Sequence, residues 1–197
     1  SLNQVAGTGT TTLNASVNTN TKAGVTLTGT NLVVNDAITT TNGGVVTFNE
    51  SGTVVIAADG NITADGAVSI TAGGGISTAG NVTTTNDNVT YSSATTLTGS
   101  VVVDTGNGEI KFEQTLTGPF DLTIGSAGDT NTATFTGAIT NLGDGVGAAI
   151  TLNNSGLTDF QSTVSVNSGI VSTADTGLTK FQNNVTIAAG DTNSSFN

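Results

Sequence analysis

The segment DGAVSITAGGGISTAG, residues 65–80, alternates apolar and small polar residues in the manner of a half-buried β-strand. Three consecutive glycines interrupt the alternation, and Asp65 is the only charged residue in the segment. A strand this short cannot bury its apolar face by itself. The segment therefore predicts further copies of the same unit elsewhere in the chain.

Segments of this kind recur with a nearly constant period. Most of them begin with an apolar residue, any residue and a second apolar residue, and we call the residue that closes this triplet the anchor. The anchors are Leu27, Phe48, Ile70, Tyr91, Phe112, Phe135, Phe160 and Phe181. They lie 21 to 25 residues apart, and turn-forming pairs such as Asn42-Gly43 and Asp65-Gly66 precede them in the same register. A fixed period of this length is typical of repeat architectures.

A period of this length matches one coil of a stacked β-structure. At about 3.3 Å per residue, about 22 residues span roughly 70 Å, which is enough for three sides of about 20 Å each. Coils stacked about 4.8 Å apart pair their strands in parallel and form a β-solenoid. An antiparallel β-sandwich, the alternative, needs strands about every 8 to 12 residues and no long register. We therefore predict an all-β parallel β-helix of about eight coils over residues 24–197, preceded by an irregular first coil or cap at residues 1–23.

The charge of the chain limits its partners. The sequence has 14 acidic and 3 basic residues, no histidine and no cysteine, and its formal net charge is −11. A chain with so few basic residues is not expected to bind nucleic acid or an anionic membrane surface. Without cysteine, packing and backbone pairing must stabilise the fold without disulfides.

Three stretches resemble a known family: VSITAGGGISTAGNVTTTND (68–87), TATFTGAITNLG (132–143) and LTDFQSTVSVNSG (157–169). They look like repeats of large bacterial secreted surface proteins of the filamentous-haemagglutinin and autotransporter-passenger type. The resemblance implies a right-handed β-helix, export to the bacterial cell surface or the medium, and an adhesive or scaffolding role. The start at Ser1 instead of methionine, and the lack of a capping segment at either end, predict separately that the chain is a segment of a larger protein.

The residues offer little for catalysis or for binding a metal ion. Histidine, cysteine and arginine, which supply most catalytic bases, thiol nucleophiles and anion clamps, are all absent. Glu109, Lys111 and Glu113 alternate on one strand and are interpreted as a local salt-bridged ladder. We predict no catalytic, cofactor or metal residues, with calcium bound at most adventitiously by aspartates that act as turn formers. These aspartates are Asp59, Asp65, Asp129, Asp144, Asp175 and Asp191.

The residues beside the first four anchors form a candidate outward-facing surface. They are mostly hydroxyl-bearing and include Thr26, Thr28, Thr47, Ser69, Thr71 and Thr90. Ranks of threonine on a flat parallel sheet resemble the faces of ice-binding solenoids, although Lys111 and Glu113 interrupt the pattern at the fifth anchor.

Together these observations predict a secreted or surface-anchored structural and adhesive module without enzymatic activity. Expected partners are a protein or glycan on a host or neighbouring cell, or a second copy stacked end to end. A polysaccharide-binding or polysaccharide-degrading β-helix is the first alternative, and an ice-binding solenoid is the second. Residues 113–131 and 140–149 lengthen the period and are the expected recognition excursions.

Overall fold

The computed structural model describes residues 1–173, 177–188 and 194–196, and these residues form β-strands and connecting turns without a helix. Twenty-seven strands build three nine-stranded sheets, here called A, B and C, and each successive group of three strands makes one coil. Every observed strand pair is parallel and joins a strand to the equivalent strand of the next coil. The predicted β-solenoid is therefore confirmed.

The strands of sheet A are β1 (Leu2–Gln4), β4 (Val25–Gly29), β7 (Val46–Glu50), β10 (Val68–Ala72), β13 (Val89–Tyr91), β16 (Ile110–Phe112), β19 (Ala133–Phe135), β22 (Leu157–Phe160) and β25 (Leu178–Phe181). Those of sheet B are β2 (Thr10–Leu13), β5 (Asn31–Val34), β8 (Thr53–Ile56), β11 (Gly75–Thr78), β14 (Thr95–Leu97), β17 (Leu116–Thr117), β20 (Ile139–Leu142), β23 (Val164–Val166) and β26 (Val185–Ile187). Those of sheet C are β3 (Val17–Thr19), β6 (Ile38–Thr40), β9 (Ile62–Ala64), β12 (Val82–Thr84), β15 (Val101–Asp104), β18 (Leu122–Ile124), β21 (Ala148–Leu152), β24 (Gly169–Ser172) and β27 (Ser195–Phe196).

The opening segment occupies the fourth coil. Val68 and Ile70 are buried inside the coil, whereas Ser69 and Thr71 lie on the outer face of sheet A. Gly73 and Gly74 turn the corner, and Gly75, with a φ of +97°, begins the next strand. The alternation therefore reflects one side of a coil, and the glycines mark the corner that follows it.

The eight anchors lie in one column inside sheet A, each paired with the anchor of the neighbouring coil. The last five are aromatic, and their ring centroids are 4.6 to 5.2 Å apart with planes within 10° of parallel. This spacing follows from the separation of neighbouring strands. The Tyr91 hydroxyl is buried without a hydrogen-bond partner among the described residues, and burial raises the pKa of Tyr91.

The prediction for residues 1–23 was wrong in one respect, because these residues form a regular first coil. Leu2 and Gln4 pair with Val25 and Leu27, and strands β2 and β3 join sheets B and C in register. The described residues thus form nine regular coils, one more than the eight predicted for residues 24–197. The sequence pattern missed the regularity of the first coil because a polar residue, Gln4, stands at the anchor position.

Side chains at the corners tie each coil to itself and to its neighbour. Where sheet C leads into sheet A, the hydroxyls of Thr40, Thr84 and Thr105 donate to the carbonyl oxygens of residues 44, 87 and 108 across the turn. Asparagine side chains accept hydrogen bonds from backbone N–H groups of the following coil. Asn81 N donates to Asn61 Oδ1, and Val102 N donates to Asn81 Oδ1, both at 2.8 Å. These hydrogen bonds satisfy corner backbone groups that the sheets leave unpaired.

The corner between sheets A and B changes length between coils 4 and 5. The step from the anchor to the first buried position of sheet B is five residues in coil 2 and six in coils 3 and 4, as from Ile70 to Ile76, but four from coil 5 onward, as from Tyr91 to Thr95. In coils 2 to 4 the longer corner provides one additional inward-facing position. This position is occupied by Gly29, Glu50 and Ala72. In coils 5 to 9 an aromatic anchor accompanies the shorter corner.

Glu50 is the charged side chain that the longer corner buries. It is 2% exposed, and neither carboxylate oxygen has a hydrogen-bond partner among the described residues. Burial raises the pKa of Glu50 above its ordinary value near 4.5. Gly29 makes room for the carboxylate, because a Cβ at that position would lie 2.9 Å from Oε2 of Glu50.

We predict that Phe135→Ala lowers the free energy of unfolding by about 3 to 5 kcal/mol, because it leaves a cavity within the aromatic column. Phe135→Leu should cost less, about 1.5 kcal/mol, since it retains most of the volume. Urea denaturation followed by circular dichroism measures both values, with the exposed Thr136→Ala as the surface control. Equal losses for Phe135→Ala and Thr136→Ala would contradict the assignment of Phe135 to the core.

We predict that stability falls as the pH rises through the raised pKa of Glu50, because folding then buries a charged carboxylate. Glu50→Gln should match the wild type at pH 4, where Glu50 is protonated, and exceed it by about 1 kcal/mol at pH 7. Glu113→Gln is the control of opposite sign, since the lowered pKa of Glu113 contributes stability at pH 7 that is lost on acidification. Urea denaturation at both pH values decides, and a Glu50→Gln variant less stable than wild type at pH 7 would refute the prediction.

Candidate functional site

The outer face of sheet A carries the six hydroxyl-bearing residues of the candidate surface. Thr26, Thr47, Ser69 and Thr90 follow one another in adjacent coils and form one row. Thr28 and Thr71 belong to a second row, with Asn49 between them. All six are half-buried, because each is flanked by its neighbours above and below. The arrangement presents hydroxyl groups with the spacing of adjacent strands, about 4.8 Å.

The first row ends at a charged residue, as the sequence indicates. Lys111 follows Thr90 in the fourth pair of this row, and beyond it lie Thr134, Asp159 and Lys180. The uncharged part of this row therefore extends over coils 1 to 5, with Asn3 in coil 1, and its hydroxyl-bearing part over coils 2 to 5.

Sheet B carries a longer uncharged row that sequence reasoning did not identify. Its outward residues pair successively from coil 1 to coil 7, and they are Thr12, Val33, Val55, Ser77, Thr96, Thr117 and Thr140. The signal was present as a second period of β-branched and small residues about 5 to 8 residues after each anchor. Because the repeat was defined only by the anchors, which lie in sheet A, this second period was not recognised.

The charged part of sheet A is organised by two ion pairs. Lys111 Nζ lies 3.0 Å from Glu113 Oε1, which is one pair of the predicted ladder, whereas Glu109 makes no ion pair among the described residues and accepts a hydrogen bond from the Thr134 hydroxyl. Hydrogen bonds from Lys111 and from Ser92 hold the pKa of Glu113 below its usual range, and the pKa of Lys111 is raised by the same contact. The Glu113 carboxylate is therefore ionised at neutral pH, which does not match the protonated carboxyl of a glycosidase general acid.

Asp159 is held as an anion by amide donors. Gln182 Nε2 lies 2.8 and 2.9 Å from its two carboxylate oxygens, and Gln161 Nε2 lies 3.1 Å from one of them. These hydrogen bonds, Gln182 first, lower the pKa of Asp159, and Lys180 at 4.0 Å adds a weaker attraction. Asp159 is therefore a buried carboxylate with hydrogen-bond partners, in contrast to Glu50.

The turn aspartates act mostly as acceptors for nearby backbone N–H groups. Asp65 accepts from Gly43, Asp129 from Ser126 and Asp144 from Val146, at 2.8, 2.6 and 2.7 Å. Burial and the neighbouring Asp104 raise the pKa of Asp129. Asp175 and Asp191 lie outside the described residues. Within the described part of the chain, no three acidic, histidine or cysteine side chains converge as metal ligands would.

The two predicted excursions differ in structure. Residues 113–131 contain strands β17 and β18, and their exposed positions are Gln114, Thr115, Pro119, Thr130 and the turn at 126–128. Residues 143–147 form a glycine-rich loop in coil 7, in which Gly143, Gly145 and Gly147 have positive φ. Val146, at the tip of this loop, is 74% exposed, so its apolar side chain projects into solvent.

Comparison with known proteins gives no family or structural match: no family model, no curated protein and no solved structure is significantly similar to the chain. Among the described residues there is no helix with the length and apolar character needed to cross a membrane.

We predict that Lys111→Met raises the pKa of Glu113, because the hydrogen bond and the positive charge that lower it are lost. The free energy of unfolding at pH 7 should change by no more than about 0.5 kcal/mol, since exposed ion pairs contribute little. An NMR titration of the Glu113 carboxyl carbon measures the pKa, with Lys22→Met as a control that should leave it unchanged. An unaltered titration of Glu113 in Lys111→Met would contradict the ion pair.

Proposed function

We propose that the chain is a structural and adhesive segment of a secreted or cell-surface protein. The proposal rests on the way in which the fold gains length. Each coil adds about 4.8 Å and pairs its backbone with the coil before it. Nine coils therefore make a rod on the order of 40 Å long without a separate globular core.

The rod offers extended faces and the glycine-rich loop at residues 143–147 for contact with a partner. The faces are rich in threonine, serine and asparagine, so they present hydrogen-bond donors and acceptors with little charge. Such a face suits a polar, largely uncharged surface, either protein or glycan. The net charge of −11 disfavours nucleic acid and anionic lipid partners.

The extracellular assignment rests on the resemblance of the repeats to those of secreted bacterial surface proteins. Two features of the chain are compatible with it. The fold contains no cysteine and so does not depend on the redox state of its surroundings. Its stability also depends on packing between coils, which can be extended indefinitely in a long surface protein.

We expect beads coated with the purified chain to bind intact bacterial or epithelial cells several-fold more than beads coated with an inert protein. Thr47→Lys combined with Ser69→Lys places adjacent like charges on sheet A, and Val55→Lys combined with Ser77→Lys does so on sheet B. If one face makes the contact, only the pair on that face should reduce bead binding. Circular dichroism must first show that both variants are folded.

Absence of bead binding to every cell type, together with turnover of a neutral or acidic polysaccharide, would replace this proposal by the degrading β-helix. Thermal hysteresis in a concentrated solution of the chain would instead favour the ice-binding alternative, for which the uncharged row on sheet B is the best-placed surface.

A further inference from the structure

A groove lies where the long corners of coils 2 to 4 give way to the short corners of coils 5 to 9. Its volume is about 420 Å³, and its lining comes from coils 4, 5 and 6. The lining residues are Ala72, Gly73, Gly74, Gly75, Ser92, Ser93, Ala94 and Gln114. The groove exists because coil 5 has two residues fewer than coil 4 at this corner.

The long corners hydrogen-bond to one another in a repeated pattern. Ser51 N and Gly52 N donate to the carbonyl oxygens of Gly29 and Thr30, at 2.9 and 2.7 Å. One coil later, Gly73 N and Gly74 N donate to the carbonyl oxygens of Glu50 and Gly52, at the same two distances. Each long corner thus receives two N–H groups from the corner that follows it.

Coil 5 does not supply these two N–H groups to coil 4. Ser92 N still donates to the Ile70 carbonyl oxygen, and Ile76 N donates to the Ala94 carbonyl oxygen. Between these two bonds, Ala72 N is satisfied by a side chain, the hydroxyl of Ser93, at 2.9 Å. No backbone or side-chain donor of the described residues reaches the carbonyl oxygens of Ala72 and Gly74, which are the equivalents of the two acceptors in coil 3.

We propose that this groove binds an extended polypeptide segment, rich in glycine and serine, which completes the missing corner of coil 5. Two consecutive backbone N–H groups of the segment donate to the carbonyl oxygens of Ala72 and Gly74, continuing the ladder that coils 2 to 4 establish. The bound segment is a corner strand added to the solenoid, which is a form of β-augmentation.

The closeness of successive corners explains why the segment must have small side chains. A Cβ added at Gly73 would lie 2.3 Å from the Ser51 carbonyl oxygen, and one added at Gly74 would lie 3.1 Å from Gly52. A segment that lies on coil 4 as coil 4 lies on coil 3 meets the same restriction. The groove therefore favours a segment with small side chains, which it contacts mainly through the backbone.

This inference goes beyond the proposed function and does not depend on it, since it requires only the purified chain. The probe is the acetylated and amidated peptide Thr-Ala-Gly-Gly-Gly-Ile, which copies residues 71–76 of coil 4. In the control peptide, sarcosine replaces the first two glycines, so that both N–H groups are lost while the side chains stay minimal.

Titration of the isotope-labelled chain, followed by NMR, should show saturable shifts confined to residues 72–75, 92–94 and 114. The sarcosine peptide should bind at least about tenfold more weakly, because two hydrogen bonds are lost. A chain with Gly-Gly inserted between Ser93 and Ala94 fills the corner covalently and should not bind the peptide.

Three results would overturn the proposal: no saturable shifts with either peptide, equal binding of the two peptides, or stronger binding of a neutral trisaccharide such as maltotriose at the same residues. If the insertion variant fails to fold, the comparison of the two peptides on the unaltered chain still decides. Cell binding of coated beads is a separate readout, so that failure of one proposal does not entail failure of the other.

Discussion

The parallel, in-register pairing of each coil with the next is the constraint on which the rest of this structure depends. Because residues at equivalent positions lie about 4.8 Å apart, each position must tolerate a copy of itself above and below. Identical charges at that distance repel one another, whereas threonine, asparagine and stacked phenyl rings do not. The low proportion of charged residues, 9%, follows from this condition. Charge enters the outer row of sheet A at Lys111, which lies between Thr90 and Thr134, and again at Asp159 and Lys180, which are neighbours of opposite sign.

The same constraint makes the corners the variable part of the molecule. Strands repeat with little change from coil to coil, but corners differ in length, and their backbone groups need partners from side chains or from the neighbouring corner. The hydroxyls of Thr40, Thr84 and Thr105 solve this problem where sheet C meets sheet A. Where sheet A meets sheet B, the corner shortens abruptly from coil 4 to coil 5. This leaves a groove and two carbonyl oxygens that receive no donor from the part of the chain that the structure describes. Unpaired backbone groups and grooves therefore occur at the irregular corners, where the regular pairing between coils is interrupted.

Much of the fold could be predicted from the sequence, because the anchors are large and apolar against a background of small residues. Phe112, Phe135 and Phe160 are conspicuous at their period, and all three lie in the column inside sheet A. The first coil was not predictable in this way, since Gln4 gives no apolar signal and its pairing depends on the coil beside it. The burial of Glu50 was also missed, because a glutamate followed by serine and glycine suggests an exposed turn. Its burial depends on the length of the corner and on the absence of a side chain at Gly29, which only the register between coils reveals.

The spacing of coils along the rod tests the central claim most directly. The chain has no cysteine, so pairs of nitroxide labels can be placed at engineered cysteines on the outer row of sheet A. Electron–electron double resonance should give about 24 Å between labels at Thr26 and Thr134, five coils apart, and about 34 Å between labels at Thr26 and Lys180, seven coils apart. Separations that do not increase with the number of intervening coils would contradict the stacked parallel solenoid and every inference drawn from it.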